Sequence, residues 1–173
     1  MISDIDCIKK DLSEQRYFKA RENLSKFVLQ DDLDENTESV LFDCLKAPCF
    51  LLRYEALFKI RKTSNLGNSH SVRTAIIERL CDESWLIRIE AIQFLGKYIE
   101  SDKRILEELL ICLRDESPFI VDQTLITLEP YVNKNDENIV VQNCLKHKYL
   151  IENSVNVLFR ITATSEQQTG KIF

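Results

Sequence analysis

The chain is poor in turn formers, with three glycines and three prolines among 173 residues. A β-sandwich or barrel needs many tight turns built from those residues, so their scarcity argues against both. So little glycine also leaves no loop to cradle a phosphate through its backbone. Histidine is scarcer still: His70 and His147 stand 77 positions apart. No G-x-S-x-G, no H-E-x-x-H, no paired-carboxylate spacing and no His-Glu dipeptide occurs. Nucleophilic and metal-assisted chemistry therefore have no motif to rest on, and the expectation is a non-enzymatic protein with no cofactor and no metal.

Positive charge is also in deficit. Lys and Arg number 23 against 28 Asp and Glu, a net charge of −5. A duplex-binding protein carries an excess of Lys and Arg to displace counterions, so the balance argues against nucleic acid as the partner. No run of 18 apolar residues exists, which argues against a membrane span. Met1-Ile2-Ser3-Asp4-Ile5-Asp6 lacks the basic-then-apolar order of a secretory signal, and Gly170-Lys171-Ile172-Phe173 is not a lipidation box. The expected location is the cytoplasm, with no membrane partner.

The six cysteines, Cys7, Cys44, Cys49, Cys81, Cys112 and Cys144, contain no C-x-x-C. Cytosolic thiols stay reduced. Cys44, Cys81, Cys112 and Cys144 recur at intervals of 37, 31 and 32, as expected if a small buried residue fills one slot in successive repeats. Cys144-x-x-His147 supplies two metal-ligand types, too few for a site.

What the chain does have is apolar material, 45% of its residues, arranged in a repeat. Asp82 to Tyr98 (DESWLIRIEAIQFLGKY) aligns without a gap on Asp115 to Tyr131 (DESPFIVDQTLITLEPY) at an offset of 33. Leu52-Arg53-Tyr54-Glu55-Ala56 sits over Ile87-Arg88-Ile89-Glu90-Ala91. Weaker copies surround Leu24 and Ser154. One small or apolar position per copy gives Leu24, Ala56, Ala91, Thr124 and Ser154, in steps of 32, 35, 33 and 30. Ile87, Ala91, Ile92, Leu95 and Tyr98 form one helical stripe, as do Leu52, Ala56, Leu57 and Ile60. Ser84 and Ser117 occupy the N-cap position, Pro118 the first helical position, and Pro48 a similar place. Pro130 falls where a helix should end or kink.

A second amphipathic segment precedes each copy, at roughly 4–13, 37–46, 70–81, 102–113 and 136–145. The unit is thus an A helix, a turn, a B helix and a loop. Units are expected at about 1–30, 36–63, 70–100, 102–132 and 136–163, forming one array over 1–163 with a frayed tail at 164–173. The acidic run Asp31, Asp32, Asp34, Glu35, Glu38 and Asp43 reads as a solvated loop and helix start.

Asp82-x-Ser84-Trp85-x-Ile87-Arg88-x-Glu90-Ala91-Ile92-x-Phe94-Leu95-Gly96 resembles the HEAT repeat in the short form of phycobilin lyase subunits, D-x-[DS]-[PW]-x-V-R-x-x-A-x-x-x-L-G. The second unit has Ala47 in place of the Asp and the fourth has Val121 in place of the Arg. The resemblance implies an all-α, right-handed α-solenoid of about five two-helix repeats, armadillo-like in build, and it implies no activity. It gives Arg53 and Arg88 a structural role, with Asp82 and Asp115 as their partners, and places Trp85 at a core-entry position.

In such stacks the B helices line a concave face. Its expected partner-binding residues are Tyr54, Phe58, Lys62, Ile89, Gln93, Lys97, Asp122 and Ile126, an aromatic and aliphatic patch with charges around it. The expected function is a protein-protein interaction module, an adaptor, scaffold or toxin-neutralising immunity protein. HEAT-type bacterial immunity proteins are similar in size and charge, and an acidic chain of this kind complements a basic partner protein. The alternative implied by the repeat subtype is a lyase-like or tetrapyrrole-handling subunit, although those are longer arrays.

Overall fold

In a computed structural model, residues 4–30, 33–63, 66–133, 136–144 and 157 are described, and all regular structure among them is helical. The helices are α1 (Asp4–Ser13), α2 (Tyr17–Lys26), α3 (Glu35–Lys46), α4 (Phe50–Lys62), α5 (His70–Ile77), α6 (Trp85–Leu95), α7 (Lys103–Cys112), α8 (Pro118–Leu128) and α9 (Glu137–Cys144). Short 3-10 turns lie at Leu66–Asn68, Glu78–Cys81 and Gly96–Tyr98. The expected tail and most of the expected fifth unit, Ser154 included, fall outside the described residues. No described helix is long and apolar enough to cross a membrane.

The chain divides into two compact units, Met1–Phe94 and Leu95–Phe173. In the first, α1 pairs with α2 and α3 with α4. The two hairpins then pack on one another, α1 against α3 and α2 against α4. The repeated small or apolar position is fully enclosed: Leu24, Ala56 and Ala91 are 0% exposed. The stripes around it are buried too, Leu52, Leu57 and Ile60 in α4 and Ile87, Ile92 and Leu95 in α6. Each such side chain taken out of water stabilises the fold by roughly 1.5–3 kcal/mol, which a lone hairpin could not achieve on both its faces.

Polar bonds tie successive hairpins of the first unit along both rows. Among A helices, Lys9 Nζ donates to Asn36 Oδ1 (3.4 Å), Ser71 Oγ donates to Glu38, and Arg79 Nη1 donates to the Leu45 carbonyl (2.9 Å). Among B helices, Arg21 pairs with Glu55 (3.7 Å) and Arg61 with Glu90 (3.1 Å), and Lys59 Nζ donates to the Ser25 and Phe27 carbonyls (2.7 Å each).

Arg53 makes the ion pair that the HEAT-repeat resemblance implies. Its Nε lies 2.9 Å from Asp82 Oδ2, with both side chains almost wholly buried. Its Nη2 also donates to Asp82 Oδ1 (3.0 Å) and to Glu83 (2.8 Å), and its Nη1 donates to the Ala47 and Pro48 carbonyls. Burial alone would pull the guanidinium below its ordinary range; the hydrogen bonds to Asp82 and Glu83 outweigh that and raise it. Arg88 repeats the local part, its Nη1 donating to the Asp82 carbonyl (2.8 Å) six residues back, and Arg73 does the same to the Gly67 carbonyl (2.8 Å). Arg88 and Asp115 fall in different units.

Four local expectations are corrected. Ser117 is the N-cap of α8, but its side chain makes no capping bond. Instead Asp115 Oδ1 accepts from the Ser117 amide (2.8 Å), as Asp82 Oδ1 accepts from Ser84 (2.9 Å), so the Asp closes the turn two residues early. Pro48 sits outside α4, before its N-cap Cys49. Cys44 and Cys112 are buried, but Cys81 is exposed. The tighter winding of Glu78–Cys81 rotates it off the buried slot of α5. Trp85, expected at a core-entry position, is 48% exposed. Burial pushes the Cys44 thiol up to about 12, with Asp43 adding to it, so Cys44 is an inert packing group.

Two backbone features lack an obvious signature. α1 ends with the Arg16 amide on the Asp11 carbonyl (2.8 Å) and the Gln15 amide on the Leu12 carbonyl (3.0 Å). That is a Schellman ending, and Gln15 takes the left-handed position (φ 55°) that glycine usually fills. The buried Asp11 carboxylate braces it, accepting from Arg16 Nε (2.9 Å) and Asn23 Nδ2 (2.7 Å). In the second unit α7 pairs with α8. The Gly96 turn there lies so close to α8 that an added Cβ would stand 2.4 Å from Thr127 Cγ2. The enclosed Thr124 satisfies its hydroxyl on the Ile120 carbonyl (2.7 Å).

Candidate protein-interaction face

The B helices carry a ridge of side chains at every fourth position, because residues four apart stand nearly above one another. On α4 it reads Phe50, Tyr54, Phe58, Lys62. Tyr54 and Phe58 are half-buried, with ring centroids 6.4 Å apart and planes inclined by 17°. Lys62 Nζ lies 5.5 Å from the Phe58 centroid and the Arg61 guanidinium carbon 5.8 Å. On α6 the ridge reads Trp85, Ile89, Gln93, the last two half-buried. On α2 it reads Phe18, Glu22, Lys26, with Lys26 Nζ 2.6 Å from Glu22 Oε1. That bond, together with the Lys26 charge, holds the Glu22 carboxyl below its ordinary range.

Tyr54, Phe58, Lys62, Ile89 and Gln93 thus belong to the first unit and fall on this ridge. Lys97, Asp122 and Ile126 belong to the second. Lys97 is exposed in the Gly96–Tyr98 turn. Asp122 and Ile126 lie one turn apart on α8, Asp122 half-buried and Ile126 exposed.

The residues that sequence reasoning missed stand one turn earlier. Phe18, Phe50 and Trp85 each precede the enclosed small or apolar position (Leu24, Ala56, Ala91) by six residues, and they are 72%, 37% and 48% exposed. Three successive B helices therefore open with an aromatic side chain in one register, at the surface. The available signal was that register: six before the small residue is four before the expected face, hence on the same ridge. The hidden element was exposure, since an aromatic beside a repeat core reads as core. Exposed aromatic side chains are of the type that anchors macromolecular interfaces.

The turns between A and B helices carry two clefts of the first unit. One, about 410 Å³, is lined by Lys9, Leu12, Ser13, Tyr17, Asp43, Ala47 and Pro48. The other, about 250 Å³, is lined by the ion-paired set around Arg53, Arg79 and Asp82. In the second, carboxylates and guanidiniums already bond one another, so its chemistry is structural. No group of three or more His, Cys, Asp and Glu placed to hold a metal occurs among the described residues.

No protein-family model matches the chain, and no curated protein is significantly similar to it.

Proposed function

We propose that the chain is a non-enzymatic protein-protein interaction module: a right-handed α-solenoid of about five HEAT-like hairpins that takes a partner protein on its B-helix face. The adaptor and toxin-neutralising roles are the two forms such a module takes in a chain of this size. The observation that carries the reading is the in-register aromatic row Phe18, Phe50 and Trp85, continued by Tyr54 and Phe58. Leaving large aromatics in water costs solubility unless a partner covers them, and Phe, Tyr and Trp are the side chains that anchor protein interfaces. The repeat itself supports the solenoid, since each hairpin has a second apolar face that only a neighbour can cover.

The test is a pull-down from the source cell with tagged protein, repeated with Tyr54→Ala/Phe58→Ala and with the A-face variant Lys9→Ala. The expected result is one captured protein that, once purified, binds the wild type and Lys9→Ala equally and loses the double variant. Capture that survives Tyr54→Ala/Phe58→Ala would move the site elsewhere.

A further inference from the structure

The face has an electrical polarity that the net charge of the chain conceals. The first 94 residues hold 16 acids against 14 bases, yet α2 and α4 together, the buried Arg53 left out, carry six Lys and Arg against two Glu. The acids other than Glu22, Glu55 and Glu90 lie in loops and on A helices, as at Asp34, Glu35 and Asp43. Each carboxylate on the B row is already matched: Glu22 by Lys26, Glu55 by Arg21, Glu90 by Arg61. Lys62 is exposed and has no carboxylate partner among the described residues. Lys59, Arg61 and Lys62 share the last turn of α4, more positive charge than the half-charge of a helix dipole calls for. The aromatic row, by contrast, opens the same helices at their N-terminal ends.

We infer that the partner presents an acidic segment bearing apolar side chains. It lies with its apolar part over Phe18, Phe50 and Trp85 and its carboxylates at the C-terminal ends of α2 and α4. This rests on the protein-interaction reading and names the partner's chemistry, and it reverses the basic partner that net charge alone suggests. Single-stranded nucleic acid also needs cations and aromatic faces. Here three carboxylates are interleaved among the cations and would repel phosphates, and Arg61 and Lys62 already stand against the Phe58 ring. Carboxylates of a peptide need only single points of positive charge, which Lys62 supplies.

The experiment selects a random-peptide phage library on the immobilised full chain, then titrates the enriched peptides into the protein while following the emission of Trp85, its sole tryptophan. The expected pool is rich in Asp and Glu with Phe, Leu or Trp. Binding should shift the Trp85 emission, weaken about tenfold on Lys62→Glu and on Phe58→Ala, and weaken with added salt. Both variants must keep the wild-type far-ultraviolet dichroism, and exposed Lys62 can be replaced without touching the core. A basic pool that still needs Phe58 overturns the acidic partner and leaves the interaction face standing. A pool indifferent to Phe58 and Trp85 overturns both. A poly-uridine oligonucleotide that outcompetes the peptides overturns the inference in favour of nucleic acid.

Discussion

The A and B helices of this chain come from one repeated hairpin, yet they meet water differently. Of the eight large apolar side chains exposed among the described residues, six lie on B helices: Phe18, Phe50, Trp85, Leu86, Phe119 and Ile126. One, Ile111, lies on an A helix, and Val28 lies in a loop. The A row of the first unit is instead laced by polar bonds such as Lys9 to Asn36 and Arg79 to the Leu45 carbonyl. Stacking requires only that each hairpin bury its seams, and both rows do. The extra apolar surface lies on the B helices of each unit, and the proposed interaction face rests on that asymmetry.

Breaking the shared scaffold should abolish the contrast altogether. Arg53→Ala leaves the buried Asp82 carboxylate with only the more distant Arg79 (3.7 Å) and the Ser84 amide, and chemical denaturation should show a loss of up to about 3–5 kcal/mol. Glu83→Ala removes an exposed partner of the same Arg and should cost less than about 1 kcal/mol. Equal losses would mean that Asp82 is not the group Arg53 serves. Next in size is Gly96→Ala, where the new methyl meets Thr127 and should cost about 1–3 kcal/mol by the same measurement. Thr127→Ser in the same chain should recover most of that loss by removing the obstructing methyl.

The comparison is sharpened by matched substitutions on the two rows. Phe50→Ala and Phe58→Ala should each weaken partner binding about tenfold or more with thermal stability little changed, whereas Lys9→Ala and Ser71→Ala should leave the Kd where it was. Titration calorimetry with the purified partner distinguishes these. Smaller still, Gln15→Gly should stabilise the first hairpin by about 0.5–1 kcal/mol, because glycine adopts the left-handed position without a Cβ penalty. Unfolding that shows a loss instead would mean that the Gln15 side chain contributes more than its backbone costs.

The smallest effect concerns Asp34, the α3 N-cap, which accepts from the Thr37 amide and hydroxyl (2.9 Å each). Those bonds, the amide's first, hold its carboxyl below the ordinary Asp range. A depressed carboxyl stabilises the fold above its unfolded pKa, and the contribution fades as pH falls through the folded value. Asp34→Asn should therefore flatten part of the stability decline on the acid side of the ordinary Asp range and leave neutral pH almost unchanged.

Much of the helical frame was legible from residues alone. The enclosed positions Leu24, Ala56, Ala91 and Thr124 followed from the recurrence of one position at steps of 32, 35 and 33, because a hairpin repeat needs a small or apolar residue wherever helices approach closely. The Arg53–Asp82 pair was expected from the HEAT-repeat resemblance and not from spacing. The Schellman ending at Gln15 escaped because the sequence shows no glycine there, and the buried Asp11 that braces it looks like any surface acid. Cys81 was misplaced because periodicity assumes one helical pitch and Glu78–Cys81 winds more tightly. Tyr54 and Phe58 were legible as a patch because they stand two residues to either side of the core position Ala56. Phe18, Phe50 and Trp85 were not, since in a repeat apolar residues near a seam all look buried.

Solute quenching of Trp85 tests the working face most directly. Acrylamide should quench the free protein nearly as well as the unfolded chain, and a saturating B-face ligand should protect the same indole. A tryptophan already shielded in the free protein, or one still quenched with the ligand bound, would contradict the assignment of this face.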